Sequence, residues 1–276
     1  MKLQRLTSWT LLIGILTLPM TPCNASTSAF TAGESLRYNA YFQIGFVSVN
    51  HLAIQTQVTE TTSDGVPLYD ILASGETQKT LGNLYPLRDS FRVQMRQSDL
   101  KPVWFYEHDI EKKYEAVKQQ TFRYQDEATS IRYNAVKNGE NSESQHNYTG
   151  PSPLDPLSIL YGVRNQAFEG MQKGDKIHFT YFDPDGDTDI CLTYAGKETI
   201  RLRGGKRYQC IKLTFNVAEG TVFSKKEPVS IWLSDDDNHL IVHAEAKLKI
   251  GYAKVDLVAC EGTKYPVTSL VSDKKK

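Results

Sequence analysis

The chain has 276 residues, of which 40% are hydrophobic and 11% aromatic, enough for a buried core and too apolar for a disordered segment. Its 32 basic and 32 acidic side chains cancel. No basic excess is present to neutralise a phosphate backbone, so nucleic acid is not expected as a partner.

The N-terminus reads as a secretory signal peptide spanning residues 1–25. Lys2 and Arg5 supply a positive start, and Trp9 to Leu18 (WTLLIGILTL) an apolar run of about ten residues. That run is short for a bilayer-spanning helix, which argues against the alternative of an uncleaved anchor. Pro19 and Pro22 break the helix, and Cys23 and Ala25 place small residues at −3 and −1, so cleavage is expected after Ala25. A lipidated Cys23 is the competing reading. Pro22 stands where a small residue is needed before the cysteine, and Met20 replaces the usual Leu. The mature chain, 26–276, is read as one β-rich domain with no transmembrane segment, ending in a solvated Lys274–Lys276 tail. Its cysteines, Cys191, Cys210 and Cys260, allow one disulfide in an oxidising compartment or three structural thiols, and the pairing stays open.

After a polar lead, strand-like segments follow one another. Leu36 to Val47 and Val49 to Thr59 are rich in β-branched and aromatic residues, with Gly45 at a bend between them. Ser63-Asp64-Gly65 is a turn, Val66 to Thr77 a strand, and Gly82-Asn83 a break. Phe91 to Arg96, Val103 to His108, Tyr114 to Tyr124 and Ser130 to Val136 alternate with polar turns. The polar stretch Asn138 to Tyr148 and Gly150-Pro151-Ser152-Pro153 read as non-strand and loop. A helix is expected over about 155–169. Asp155 can cap it, Pro156 suits its first position, and Leu157, Leu160, Tyr161, Arg164 and Phe168 form one stripe, with Gly170 as the stop.

Strands then resume over Lys176 to Phe182 and Asp187 to Leu202. Arg203-Gly204-Gly205-Lys206 marks a hairpin, and Ile211, Leu213, Phe215 and Val217 alternate with polar residues. Asp235-Asp236-Asp237-Asn238 is a turn. Leu240 to Ile250 keeps a two-residue period over eleven positions, and a bulge at Gly251 is expected where the phase switches to Ala253, Val255, Leu257 and Ala259. Roughly ten to twelve strands with one medial helix point to an all-β, mainly antiparallel fold. The shape expected is a curved sheet, half-open barrel or tandem β-sheets, with the helix on the concave face.

Four segments resemble the bacterial exported family called domain of unknown function 3108. They are Phe30 to Tyr38 (FTAGESLRY), Asp155 to Arg164 (DPLSILYGVR), Tyr208 to Leu213 (YQCIKL) and Trp232 to Asp236 (WLSDD). The resemblance implies a periplasmic all-β protein of Gram-negative bacteria and no established activity. Such a curved sheet with a helix is similar to the periplasmic lipoprotein carriers, a likeness of fold that does not fix function.

Candidate chemistry is sparse. Asp183, Asp185 and Asp187 are weak calcium ligands, since an EF-hand loop needs Gly sixth and Glu twelfth, whereas here the glycine comes fourth and Tyr194 twelfth. A hairpin turn is the plainer reading. His239 and His243, if on one strand, would stand roughly 13 Å apart, too far to share a metal. No G-x-S-x-G, HExxH or P-loop motif occurs, so neither catalytic residues nor a cofactor are expected. Arg164 within an apolar stripe is read as a snorkelling side chain, as a tie to a sheet acid such as Glu34, or as a contact to an anionic ligand head.

Three functions follow from these readings. The leading one is a non-enzymatic carrier of a lipid, acyl chain or other hydrophobic ligand in a concave β cleft, with Tyr161, Arg164, Phe168 and Glu34 as ligand-binding residues. The second is an envelope structural or assembly factor acting through protein contacts, which requires a filled core and an exposed apolar patch or sheet edge. The third is a hydrolase whose Ser or Asp meets a His in a cleft.

Overall fold

The computed structural model describes residues 28–78, 86–216 and 228–271, without the side chains of Asn50 and His51. The signal-peptide reading, Cys23, the Gly82-Asn83 break, Val217 and the Lys274–Lys276 tail lie outside these residues. Among the described residues, fourteen strands and one helix follow in chain order. They are β1 (Ser35–Ile44), β2 (Val47–Ser63), β3 (Val66–Thr77), β4 (Leu87–Arg96), β5 (Pro102–Glu111), β6 (Tyr114–Gln125), β7 (Ala128–Lys137), β8 (Glu140–Thr149), α1 (Pro156–Arg164), β9 (Lys176–Tyr181), β10 (Thr188–Arg201), β11 (Arg207–Phe215), β12 (Val229–Ser234), β13 (Ile241–Lys247) and β14 (Tyr252–Glu261).

All strands join one antiparallel sheet in the order β8-β7-β6-β5-β4-β3-β2-β1-β14-β13-β12-β11-β10-β9. The chain builds the first half as a meander and the second as another, and β1 pairs with β14 to fuse them. The fold is all-β and antiparallel, as expected, with more strands than the ten to twelve read from sequence. A sheet this wide must curl, and its two edges meet. The Phe182 ring, just past β9, lies 6.0 Å from Tyr133 on β7 and 5.2 Å from His146 on β8. The edges do not pair directly. Leu154, in the loop between β8 and α1, instead forms a single parallel bridge to Tyr181 of β9, and the sheet stays open.

Three expectations are corrected. Glu140–Thr149 is a strand rather than a polar non-strand segment; it is the outer edge, mostly exposed, so its side chains need no apolar alternation. The helix ends at Arg164, not near 169, because Asn165 turns its side chain back to Tyr161 O at 2.7 Å, and Gly170 plays no part in the stop. Gly251, at φ 75°, belongs to the turn joining β13 to β14, not to a bulge in one long strand.

The helix also has more than one apolar stripe. Leu157 and Tyr161 pack with Phe30, Val93, Phe105 and Ile131 of the first half. Ile159 and Val163 pack with Ile177, Leu192, Leu213 and Leu233 of the second. Leu160, assigned to the stripe, is only partly buried. α1 is therefore a plug gripped from both sides, which is why a nine-residue helix holds its place.

Candidate functional site

Four chain segments converge at the C-terminal end of α1. Glu34 precedes β1, its backbone locked to β2 by Gly33 N to Val58 O and Val58 N to Glu34 O, each 2.9 Å. Arg164 is the last helical residue. Its Nη1 and Nη2 donate to the two Glu34 oxygens at 2.7 and 2.8 Å, a forked ion pair. Its Nε and Nη2 also donate to the carbonyl of Asn238 in the β12–β13 turn, at 3.2 and 3.1 Å, and Nη2 to Ala29 O at 3.5 Å. The Asn238 side chain in turn holds the C-terminal segment, accepting from Tyr265 N and donating to Tyr265 O. The Arg164 and Glu34 side chains are 2% and 0% exposed, so water does not screen the pair.

Aromatic rings complete the enclosure. The guanidinium carbon lies 5.1 Å from the Tyr161 ring centre and 5.7 Å from that of Phe30, within cation–π range. Burial opposes the Arg164 charge, but hydrogen bonds and the field of Glu34 outweigh it and raise its affinity for the proton. Burial pushes the Tyr161 phenol up to about 12, while the nearby Arg164 pulls the other way. The hydroxyls of Tyr161 and Thr56 are both buried without a hydrogen bond of normal geometry.

The structure thus brings three of the four sequence candidates, Glu34, Tyr161 and Arg164, into one buried cluster. Phe168 lies apart, past the helix end, with its ring edge-on to His239 at 4.9 Å. All four are buried among protein atoms. Of the three readings of Arg164, the tie to Glu34 is the arrangement found.

At the other end of α1, Asp155 caps the helix by accepting from Ser158 N at 2.9 Å and from the Ser158 hydroxyl. Burial raises its pKa to about 6, against the pull of those hydrogen bonds. Because the folded value exceeds the unfolded value of about 3.9, the folded state binds the proton more tightly. Asp155 therefore contributes stability below about pH 4 that is lost as pH rises through 6. Asp155→Asn keeps a cap with nothing to titrate. The difference in urea midpoint between variant and parent is expected to change over that window by the equivalent of about 2–3 kcal/mol. A difference independent of pH would refute the assignment.

The acidic turn uses its carboxylates locally. Asp183 accepts from Asp185 N at 2.9 Å and Asp187 from Asp183 N at 3.2 Å. Among the described residues no cluster of three or more His, Cys, Asp or Glu is placed to hold a metal. Cys191, Cys210 and Cys260 are free thiols, and burial pushes Cys210 up to about 12.

His239 and His243 are both half-buried and make polar contacts. His239 sits in a turn at φ 43° with Nδ1 2.7 Å from Arg164 O. His243 lies opposite Asp256 across β13 and β14, its Nδ1 2.6 Å from Oδ1. Tyr41 Oη and Arg203 N donate to the other Asp256 oxygen at 3.3 and 3.2 Å, and Glu245 joins His243 to Lys254. Burial works against the charged His243, yet Asp256 and Glu245 raise its pKa, and the hydrogen bond from His243 leads in drawing Glu245 down to about 2. A second contact, Ser144 Oγ to His146 Nε2 at 2.8 Å, joins residues two apart on one face of edge strand β8. Neither was a candidate from the sequence: His243 and Asp256 meet through cross-strand register, and Ser144 and His146 share a face only because Glu140–Thr149 is a strand.

The geometry defines a plugged, barrel-like antiparallel sheet with a buried Arg–Glu tie. The chain belongs to the family described as protein of unknown function DUF3108, whose model matches residues 37–258, just after Glu34 and including α1. No curated protein matches. Among solved structures, it is similar to a β-barrel-like protein of domain of unknown function DUF1849 from Brucella abortus, at 9% identity and TM-score 0.49, covering 84% of this chain and 98% of that one. It is also similar to a Bacteroides fragilis protein with a YmcC-like fold, at 10% identity and TM-score 0.36, covering 85% and 99%.

Proposed function

We propose that this is a non-enzymatic protein of the bacterial envelope that works through its outer surface rather than by carrying a ligand inside. The packing of α1 supports this most directly. Tyr161, Leu157, Ile159, Val163 and Phe30 occupy the space between the two sheet halves where an acyl chain would lie. Arg164 and Glu34 satisfy each other, leaving the cationic head without a task for an anionic ligand. The envelope destination rests on the reading of residues 1–25 as a secretory signal peptide.

Native mass spectrometry of protein purified from the periplasm tests the reading. Release at the bare polypeptide mass is the expected result. A lipid retained at one copy per chain would restore the carrier reading.

The Ser144–His146 contact favours a hydrolase as the second reading. Against it, β8 lies at the sheet edge, and the contact follows from two-residue strand spacing alone. Turnover of acyl esters that disappears in Ser144→Ala would establish it.

A further inference from the structure

The tip of the β1–β2 hairpin is apolar where a soluble hairpin is normally polar. Ile44 pairs with Val47 and Phe42 with Val49, so these four side chains share one face, while Gln43 and Ser48 take the other. Gly45, at φ 57°, makes the tight turn, and Phe46 projects from it. All five apolar residues are exposed, Phe46 completely. Ile250, exposed in the β13–β14 turn, joins them. That turn abuts the hairpin so closely that a Cβ on Gly251 would fall 2.2 Å from Gln43 O and 2.9 Å from the Ile44 side chain. Six of the twelve large hydrophobic residues exposed among those described gather at this one apex, so it is a patch and not the usual scatter.

Residues 42–49 and 247–254 contain Lys247, Lys249 and Lys254 and no acidic residue, and Lys254 is paired at 2.6 Å with Glu245 next to them. Lys249 is exposed beside Ile250. Lys247 and Lys254 flank Tyr252, with Nζ 4.1 and 5.3 Å from its ring centre, and Lys247 Nζ donates to the Tyr252 hydroxyl at 2.7 Å. Apolar side chains at the extremity, backed by a tyrosine and lysines, match the layering of a bilayer surface. There, hydrocarbon gives way to an interfacial belt that favours tyrosine and then to anionic headgroups.

We propose that this apex docks onto an anionic phospholipid bilayer, with the hairpin tip entering the hydrocarbon edge and Lys249 meeting the headgroups. The exposed Lys249 beside the apolar tip favours an anionic membrane over an apolar protein surface. The proposal rests on the surface-acting reading above and names the surface.

Sedimentation of the mature chain with mixed phosphatidylethanolamine–phosphatidylglycerol vesicles tests it, with phosphatidylcholine vesicles as the uncharged control. Binding is expected to the anionic vesicles and to weaken with salt. Phe46→Ser should reduce it about tenfold or more and Lys249→Glu about fivefold. The apex stands about 30 Å along β1 from the Arg164–Glu34 pair, so both variants should melt as the parent does. Equal binding to both vesicle types, equal binding by Phe46→Ser, or no binding overturns the proposal. So does a dimer that Phe46→Ser dissociates in the absence of lipid, because a second copy would then be the occupant. A bare mass in native spectrometry with no vesicle binding sinks only the membrane assignment. A retained stoichiometric lipid sinks the surface-acting reading itself.

Discussion

Replacing Arg164 by methionine is expected to cost about 3–5 kcal/mol, enough to lower the melting temperature by roughly 10 °C or more in a domain of this size. The loss comes from what is left behind. Glu34 is fully buried, and without the guanidinium its carboxylate has neither partner nor water. The carbonyls of Asn238 and Ala29 lose donors as well. Arg164→Lys should fall between parent and Met variant, since an ammonium keeps the charge but cannot make the forked contact to both oxygens while reaching Asn238. The double variant Arg164→Met with Glu34→Leu should regain much of the loss, because a buried ion pair is far costlier to break than to replace whole. Thermal or urea melts of the four proteins form a double-mutant cycle. Additive single effects would mean that the two residues do not act as a unit.

The same pair shows how far the sequence could be read. Arg164 stood out because a charged residue interrupted an apolar helical pattern, and Glu34 lay in a segment of the same family motif set. Asp155-Pro156 announced the helix start through elementary capping chemistry, and the alternation along β13 announced a half-buried strand. The polar ladder of β8 could not be read in this way. An edge strand facing solvent has no need of apolar alternation, so Glu140–Thr149 carries a loop's composition and a strand's hydrogen bonds. The helix end failed for another reason. Phe168 continues the helical spacing, but its burial comes from the following loop, while Asn165 terminates the helix. The His243–Asp256 contact depends on the register between β13 and β14, which a hairpin turn at Gly251 sets and a bulge would have changed.

Phe30→Ala should be about as damaging as loss of the ion pair, at about 3–5 kcal/mol, and its consequences bear on function. Phe30 is wholly buried, its ring 4.7 Å from Tyr161 in an edge-to-face contact and 5.0 Å from Tyr69. It precedes β1 and seals the helix against the first half of the sheet while covering the Arg164 guanidinium. Removing the ring leaves a largely apolar hollow at the point where a carrier would hold its cargo. Apolar cavities of this kind stay dry and accept small hydrophobic guests. The variant is therefore expected to melt earlier than the parent and to be restabilised by benzene, whereas the parent should not respond. A parent that is itself stabilised by benzene or a short-chain fatty acid would mean that the interior can open, and the case for a surface-acting protein would fail at its central premise. If only the variant responds, the hollow exists only when Phe30 is absent, and it is Phe30, together with the plug helix, that commits this fold to its exterior.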